Sequence, residues 1–355
     1  MGLPQIIMNF IQIATTAITR SERGIVCLLL DDATATDSLY TYELLGQIDT
    51  ADWEAGNYQV IRDAMMAGAP KVHVVRVGSG QSFADVKGIV DGLKFNWMAY
   101  TNAASQSDIV DYVKDRNKVS KGRKIKAVVY KAVKPDDIHI VNFTNEKVKR
   151  TADTEEIAGN LYVGRIAGLL AAMPFTRSAT YYELTDLESV AEPSDVDAAI
   201  DSGEFVIIND YGEPKVGRSV NSLQTLADGQ TDDWKSIVII EAIDLILEDI
   251  YTTFKNDYVG KYKNKYDNQC IFLSAVNRYF VELAKEEILD EEYDNHAEID
   301  VEKQRDAWLK IGKEQAATWD ELAVKQNTFK KQLFLSGNIK ILDAMEDMVF
   351  DIEIA

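Results

Sequence analysis

Gly24-Ile-Val-Cys-Leu-Leu-Leu30 is an uninterrupted apolar run, a pattern typical of a β-strand that is buried on both faces. The patterns that follow it alternate in type: helix Asp52 to Ala67, strand Lys71 to Val77, helix Ser82 to Leu93, strand Phe95 to Tyr100, helix Ser107 to Lys118, and strands Ile125 to Tyr130 and Ile138 to Phe143. Strand–helix repetition at this spacing predicts an α/β layer with a partly parallel sheet.

The second half of the chain predicts longer helices and short strands. A helix over Asp153 to Met173 carries Gly164 and Gly168 four residues apart, which leaves a small face where another element can approach closely. An apolar stripe at helical spacing runs from Ile239 to Ile250. The other predicted elements are strands Glu204 to Asn209 and Lys215 to Val220, a helix from Gln269 to Leu289, and an acidic helical stretch from Glu298 to Lys325.

Both ends of the chain carry apolar segments with a strand pattern. At the N-terminus, one face holds Ile6, Met8 and Phe10, and the other holds Ile7, Ile11 and Ile13. At the C-terminus, Phe350, Ile352 and Ile354 alternate with Asp351 and Glu353, as in a half-buried strand.

These terminal segments allow two interpretations. A terminal strand usually completes the sheet of its own subunit. Apolar strands at both ends, each joined to the rest by a polar segment, also fit arms that add to the sheet of a neighbouring copy. Just before the C-terminal segment, Lys331 to Leu335 and Ile339 to Leu342 flank Ser336-Gly337-Asn338, which predicts a hairpin.

Composition narrows the class of protein. The 355 residues are 46% apolar and 27% charged, in the range of a globular protein with a real core. The sequence contains no apolar stretch long enough for a membrane span, and its first residues lack the basic lead and cleavage site of a signal peptide. We therefore expect the protein to be made and assembled in the cytoplasm. Cys27 and Cys270 lie in apolar runs, which favours buried free thiols.

The charge is acidic and unevenly distributed. The 38 basic and 58 acidic side chains give a net charge of −20, which argues against nucleic acid as the main partner. Lys114 to Arg150 contains 12 basic and 4 acidic residues, whereas Glu286 to Arg305 contains 9 acidic and 2 basic residues. Each run alone is typical of a solvated face, and together they also suit head-to-tail association of identical subunits.

The sequence lacks the common catalytic motifs. It has no P-loop, no dinucleotide-binding turn and no Gly-x-Ser-x-Gly nucleophile elbow. His73 and His139 lie in predicted strands, and His296 is far from both, so we expect none of them to bind a metal. Asp31-Asp32 at the end of the first strand could hold a metal ion, but helix-capping carboxylates explain the pair more simply.

Three segments together resemble a known family. They are Trp234 to Leu289, with Ile237-Val-Ile-Ile-Glu-Ala-Ile-Asp-Leu-Ile and Cys270-Ile-Phe-Leu-Ser-Ala-Val-Asn277; the turn Gly217-Arg-Ser-Val-Asn-Ser-Leu223; and Gly164 to Thr180, with Ala171-Ala-Met-Pro-Phe-Thr-Arg-Ser178. In order and spacing they resemble the C-terminal domain of contractile tail sheath proteins, most of all the short sheaths of Gram-positive phages and phage-tail-like bacteriocins.

The resemblance implies a structural subunit, not an enzyme, with no cofactor or metal. In this family, subunits form hexameric rings stacked helically around an inner tail tube protein, between a baseplate and sheath-terminating proteins. Contraction of the sheath drives the tube through a cell envelope. The expected partners include no nucleic acid and no membrane. The protein would be assembled in the cytoplasm of a bacterial host and be present in the tail of a virion or an R-type bacteriocin particle.

The resemblance also implies a role for particular residues. The inter-subunit arms would use Ile6, Ile7, Met8, Phe10, Ile11, Ile13, Val349, Phe350, Ile352 and Ile354, and the arm-receiving strands would use Leu333, Leu335, Ile339 and Ile341. The predicted domains are an N-terminal arm 1–22, an α/β domain 23–150, a sheath-type C-terminal domain 151–342 and a C-terminal arm strand 343–355.

The predicted fold class is therefore α/β to α+β. An N-terminal α/β layer is followed by a mixed domain with long helices and a small sheet that terminal arm strands complete. Two alternatives remain at this point. One is another self-assembling tube or shell protein. The other is an α/β enzyme with a strand-end carboxylate site formed by Asp31, Asp32 and His73.

Overall fold

The computed structural model describes residues 17–354, which group into two compact units. The sheet unit contains residues 21–248 and 341–354, and the helical unit contains residues 17–20 and 249–340. The predicted four-part division, 1–22, 23–150, 151–342 and 343–355, differs from these borders. The reason is that the helix Val163–Ala172 buries its side chains in the same core as the first strand, so residues on both sides of position 150 form one body.

The sheet unit has twelve strands in its described residues. In chain order they are β1 Ile25–Asp31, β2 Leu39–Tyr42, β3 Lys71–Val77, β4 Trp97–Tyr100, β5 Lys126–Tyr130, β6 Ile140–Phe143, β7 Lys147–Arg150, β8 Ile157–Ala158, β9 Leu187–Val190, β10 Glu204–Phe205, β11 Ile207–Asp210 and β12 Glu213–Val216. Its helices are α1 Ala55–Met66, α2 Phe83–Gly92, α3 Gln106–Val119, α4 Val163–Ala172 and α5 Val196–Asp201, and α6 Ile237–Thr253 crosses the border at residue 248.

Seven of these strands form the main sheet, in the order β10-β6-β5-β4-β1-β3-β2. All neighbours pair in parallel except β2, which runs antiparallel to β3 at the edge. The predicted α/β layer is confirmed. Strand β1 lies between β3 and β4, and its residues Ile25 to Leu30 are all buried, as the uninterrupted apolar run predicts.

Two layers of helices cover the two faces of this sheet. Val26, Leu28 and Leu30 of β1 belong to the core cluster that also contains the buried side chains of α1 and α4. Ile25, Cys27 and Leu29 belong to the cluster that contains those of α2 and α3. The alternation follows from the period of two along a strand, because successive side chains point to opposite faces.

Helix α4 is shorter than its pattern suggested. Residues 153–156 lie in no helix or strand, residues 157–162 form β8 and a 3-10 turn, and the helix begins at Val163. The small face was predicted correctly, since a Cβ atom on Gly168 would lie 2.2 Å from the carbonyl oxygen of Ala64 in α1. Gly164 likewise faces Val60 of α1. The two glycines therefore let the α1 and α4 backbones approach each other.

The helical unit contains α7 Tyr266–Lys285, α8 Val301–Lys310 and α9 Glu321–Gln326, with strands β13 His296–Ile299 and β14 Leu335–Asn338. The predicted second long helix is present as α7, which buries Phe272, Val276, Tyr279, Phe280 and Leu283. The predicted acidic helical stretch from Glu298 to Lys325 contains two short helices and not one. Residues 296–299 form β13, and α8 and α9 are separated by the 3-10 turn Glu314–Thr318.

The predicted hairpin around Ser336-Gly337-Asn338 is wrong. These residues lie inside β14, which pairs antiparallel with β13, Leu335 opposite Ile299 and Asn338 opposite His296. Gly337 is required by close backbone approach and not by a turn, because a Cβ atom there would lie 2.4 Å from the carbonyl oxygen of His296. Of the predicted arm-receiving residues, Leu335 lies in β14, whereas Leu333, Ile339 and Ile341 lie outside it.

Candidate functional site

The C-terminal segment combines apolar composition with exposure. Residues 342–354 form no helix or strand. Phe350 is 73% exposed, Ile352 is 68% exposed and Ile354 is 96% exposed. Because large exposed apolar patches on soluble proteins often mark interaction sites, this segment is the candidate site. The predicted N-terminal arm residues, Ile6 to Ile13, lie outside the described residues.

The C-terminal segment divides into two parts by its contacts. In the first part, which we call the anchor segment (Asp343 to Asp347), acidic side chains bind the body of the sheet unit. In the second part, the free segment (Met348 to Ile354), the described residues 17–354 provide no hydrogen bond or ion pair to any member. The apolar residues of the predicted arm, Val349, Phe350, Ile352 and Ile354, all belong to the free segment.

Three polar side chains hold the anchor segment. Ser236 Oγ donates to Asp343 Oδ1 over 3.1 Å, and Thr180 Oγ1 donates to Glu346 Oε1 over 2.7 Å. Arg218 contacts two acids, with its Nε 3.5 Å from Glu346 Oε2 and its Nη2 hydrogen-bonded to Asp347 Oδ1. A cavity of about 720 Å³ lies beside these contacts, and acidic residues form much of its lining.

The two-stranded sheet of the helical unit has the geometry to accept a further strand. Strands β13 and β14 pair only with each other among the described residues, so each has one edge whose backbone groups lack a strand partner. Such an edge is a ready template for an added strand from another chain. Ser336, Gly337 and Asn338 of β14 are exposed, which leaves this sheet accessible.

The carboxyl-terminal third of the chain matches the phage tail sheath C-terminal domain over residues 229–355. The chain is also 31% identical, over 360 residues, to the tail sheath protein of Clostridium phage phiCD119, with 98% of each chain covered. The chain belongs to the tail sheath protein family. The family predicted from Trp234 to Leu289, Gly217 to Leu223 and Gly164 to Thr180 is therefore confirmed.

Solved structures agree with this sheath fold. The sheath tail protein of Desulfitobacterium hafniense matches with a TM-score of 0.69 at 15% identity, covering 83% of this chain and 94% of that chain. The helical sheath of the anti-feeding prophage in its contracted state matches with a TM-score of 0.70 at 10% identity, covering 99% of each. The predicted mixed fold is thereby confirmed, with an α/β layer followed by longer helices and small sheets.

A buried charged cluster connects helix α6 of this sheath subunit to strand β5. Lys126 Nζ lies 2.7 Å from Asp244 Oδ2 and 3.2 Å from Glu241 Oε1, and His139 Nε2 lies 3.2 Å from Asp244 Oδ1. Burial alone would lower the pKa of Lys126, but the two carboxylates outweigh it and raise the pKa. Burial would raise the pKa of Asp244, but Lys126 and His139 hold it at about 2.

The basic run Lys114 to Arg150 is only partly a surface patch, because several of its side chains form ion pairs inside the sheet unit. Lys126 is buried, Arg123 pairs with Glu248, and Arg150 pairs with Asp63 at 2.8 Å. Part of this positive charge is therefore neutralised inside the sheet unit and is not available as an external patch. Sequence reasoning missed the cluster because Lys126 and Asp244 are 118 residues apart.

Asp31 and Asp32, the strand-end carboxylates of the enzyme hypothesis, make hydrogen bonds that connect neighbouring elements of the sheet unit. Asp32 is buried and accepts hydrogen bonds from Asn57 Nδ2 at 2.8 Å and from the Glu54 amide at 3.0 Å, just before α1 begins. Asp31 accepts from Tyr100 Oη at 2.5 Å and from Asn102 Nδ2 at 2.6 Å. Asp32 therefore holds the turn before α1, whereas the Asp31 carboxylate accepts from two side chains and not from the start of a helix, so the capping interpretation does not extend to the pair.

The other candidate reactive residues, His73, His296 and the two cysteines, lie in strands and helices of the fold. His73 hydrogen-bonds Thr41 Oγ1 at 2.8 Å across the edge strand, and His296 lies in β13. Within residues 17–354, no group of three or more His, Cys, Asp or Glu could hold a metal ion. Cys27 is buried as a free thiol, and burial raises its pKa to about 12, whereas the free thiol of Cys270 is only partly buried. No helix in the described range is long and apolar enough to cross a bilayer.

Proposed function

We propose that this sheath subunit polymerises as stacked hexameric rings around an inner tail tube and contracts to drive that tube through a cell envelope. The observation that carries the proposal is the free segment, which is apolar, exposed and without a polar partner in the described chain. Family membership supplies the structural role. The match to the contracted sheath of the anti-feeding prophage supports carrying contraction over to this chain.

The arms provide the connection between copies. Val349 to Ile354 would add as a strand to the sheet formed by β13 and β14 in a neighbouring subunit, near Leu333, Leu335, Ile339 and Ile341. In this arrangement Phe350, Ile352 and Ile354 face the neighbour, and Asp351 and Glu353 face water. The N-terminal residues Ile6, Ile7, Met8, Phe10, Ile11 and Ile13 would form the second arm.

The energetics of one arm are close to balance. Burial of Phe350, Ile352 and Ile354 contributes about 5–8 kcal/mol, and about four ladder hydrogen bonds contribute roughly 4 kcal/mol. Ordering six residues costs about 6–12 kcal/mol. Because one arm is nearly neutral, a free subunit stays dissociated, whereas several arms engaged at once hold a lattice through effective concentration.

Because one arm is nearly neutral, polymerisation needs a template. We propose that the baseplate is this template. The inner tube would then form the core of the polymer, and sheath-terminating proteins would bind its far end. Contraction requires rigid bodies to turn while the arms keep neighbours connected. We propose that the subunit is assembled in the host cytoplasm and is part of the tail of the released particle. We also propose that it acts as a structural protein and not as an enzyme.

Deletion of Val349 to Ala355 tests the proposal. We expect a folded subunit with unchanged thermal unfolding that forms no sheaths under electron microscopy. Striated tubes from the truncated protein would refute the arm assignment.

A matched pair of variants distinguishes the apolar face of the arm from its acidic face. Replacement of Phe350, Ile352 and Ile354 by Ser should abolish polymers, whereas Asp351→Asn with Glu353→Gln should leave polymers intact.

A further inference from the structure

Within the described residues, the hydrogen bonds and ion pairs that hold the anchor segment all come from side chains. Its attachment consists of Ser236 on Asp343, Thr180 on Glu346, and Arg218 on Glu346 and Asp347. Arg218 is the one cationic side chain in the described structure that pairs with the segment, since Lys235, which lines the same cavity, is paired with Asp232 at 2.8 Å.

Arg218 projects from a fixed backbone. On one side, the amide of Gly217 donates to the carbonyl of Val206 over 2.9 Å. On the other side, the amide of Ser219 donates to Thr180 Oγ1 over 2.9 Å, and that hydroxyl in turn donates to Glu346. The guanidinium and the hydroxyl that hold the anchor segment therefore belong to one ordered platform.

The electrostatic surroundings make the guanidinium necessary. Asp343 and Glu346 lie in the cavity with Asp201, Asp232 and Asp233, so most charges there are negative. Burial raises the pKa of Asp343, and the negative charges of Glu346 and Asp233 raise it further. Without a cation at Arg218, like charges would favour release of the whole anchor segment.

We propose that Arg218 is a positioning residue for assembly. Its ion pairs with Glu346 and Asp347, which we call the clasp, fix the point where the C-terminal arm leaves the subunit. This inference rests on the proposed arm function. The residue belongs to Gly217-Arg-Ser-Val-Asn-Ser-Leu223, a stretch that carried the family resemblance but had no assigned role.

The clasp shortens the mobile part of the chain. With the clasp closed, the seven described residues after Asp347 reach at most about 25 Å. With the clasp open, mobility begins at Asp343, and the mobile length within the described residues rises from about seven to about twelve residues. Effective concentration falls roughly as the −3/2 power of length, which gives about a twofold loss for each arm before any loss of direction.

A charge-swap experiment tests the clasp. Arg218→Glu should raise the protein concentration needed for polymer formation at least about twofold. It should also speed hydrogen exchange at residues 343–347 in the free subunit. Adding Asp347→Arg to the same chain, which keeps the Thr180–Glu346 hydrogen bond, should bring both measurements back toward the wild-type values. Lys118→Glu, which makes a comparable charge change on an exposed helix pair outside the cavity, should leave both unchanged.

Each outcome decides the question. Wild-type assembly by Arg218→Glu would overturn the inference, and so would a folded swap variant that fails to recover. Thermal unfolding checks that each variant is folded, and the milder Arg218→Gln repeats the test if Arg218→Glu does not fold. The deletion of Val349 to Ala355 separates the two proposals. If that deletion stops assembly and Arg218→Glu does not, only the clasp fails, whereas normal assembly by the deletion removes the arm function itself.

Discussion

Strand β1 and the free segment both have apolar strand patterns, but their environments are opposite. Both are short and rich in branched apolar residues that suit a strand, although acidic residues interrupt only the free segment. Ile25 to Leu30 are completely enclosed by the two helical layers, whereas Val349 to Ile354 are exposed and make no hydrogen bond or ion pair within residues 17–354. The difference teaches that the partners of β1 lie within the described chain, whereas under the proposed arm function those of the free segment lie in another copy. Changes in the first should affect folding, and changes in the second should affect assembly.

The largest loss of folding stability should come from the buried charges beside β5. Lys126→Ala removes the buried cation shared by Asp244 and Glu241, so that Asp244 keeps only His139 and Glu241 keeps only Arg23 as an ionic partner. We expect the free energy of unfolding to fall by about 3–5 kcal/mol, measured by urea denaturation. Lys118→Ala, on an exposed pair with Asp115, is the control and should change stability by less than about 0.5 kcal/mol.

A matched pair of apolar truncations tests the comparison itself. Leu28→Ala opens a cavity at the centre of the main sheet and should cost about 2–5 kcal/mol of unfolding free energy. Ile352→Ala should change that free energy by less than about 0.5 kcal/mol while weakening polymer formation. If Ile352→Ala instead destabilised the isolated subunit by several kcal/mol, the free segment would have a partner inside its own subunit.

Replacing a glycine of α4 by alanine should also lower the free energy of unfolding, but by a smaller amount. Gly168→Ala forces a methyl group against the Ala64 carbonyl, and we expect a loss of about 1–3 kcal/mol in thermal or chemical unfolding. Gly88→Ala in α2, where no atom lies within 4 Å of an added Cβ, should stabilise the subunit by roughly 0.5–1 kcal/mol. Equal effects at the two sites would show that the α1–α4 contact is loose.

The smallest effect should be a pH dependence at His139. Burial alone would lower the pKa of His139, but hydrogen bonds to Asp137 and Asp244 outweigh it and raise the pKa above its ordinary value. The protonated ring therefore stabilises the fold fully below the unfolded pKa of about 6.5, and this contribution is lost as pH rises through the folded pKa. In His139→Gln, the part of the pH slope above about 6.5 should disappear from urea denaturation series. An unchanged slope would contradict the assignment.

The sequence correctly predicted those helices and strands whose apolar residues recur with the period of the element itself. Strand β3 spans Lys71–Val77 as predicted, and α2 begins after Ser82, which forms a capping box with Asp85. The hairpin prediction failed because Gly337 has the composition of a turn, while its role is close approach to β13. That role depends on residues about forty positions earlier in the chain, and a local pattern contains no information about them.

The candidate site was predictable only in part. The apolar alternation of Phe350, Ile352 and Ile354 is visible in sequence, and so is its isolation at the chain end. The anchor was not predictable, because Arg218 and Asp347 are 129 residues apart and a lone arginine after a strand has no distinctive pattern. Long-range ion pairs of this kind become visible only when the fold brings their members together.

Hydrogen exchange at the amides of Met348 to Ile354, in the isolated subunit and in assembled polymers, tests the central claim most directly. The account predicts exchange close to that of an unstructured peptide in the subunit and strong protection in the polymer, because ladder hydrogen bonds form only with another copy. Protection that is already present in the isolated subunit, or exchange that stays fast in the polymer, would contradict it.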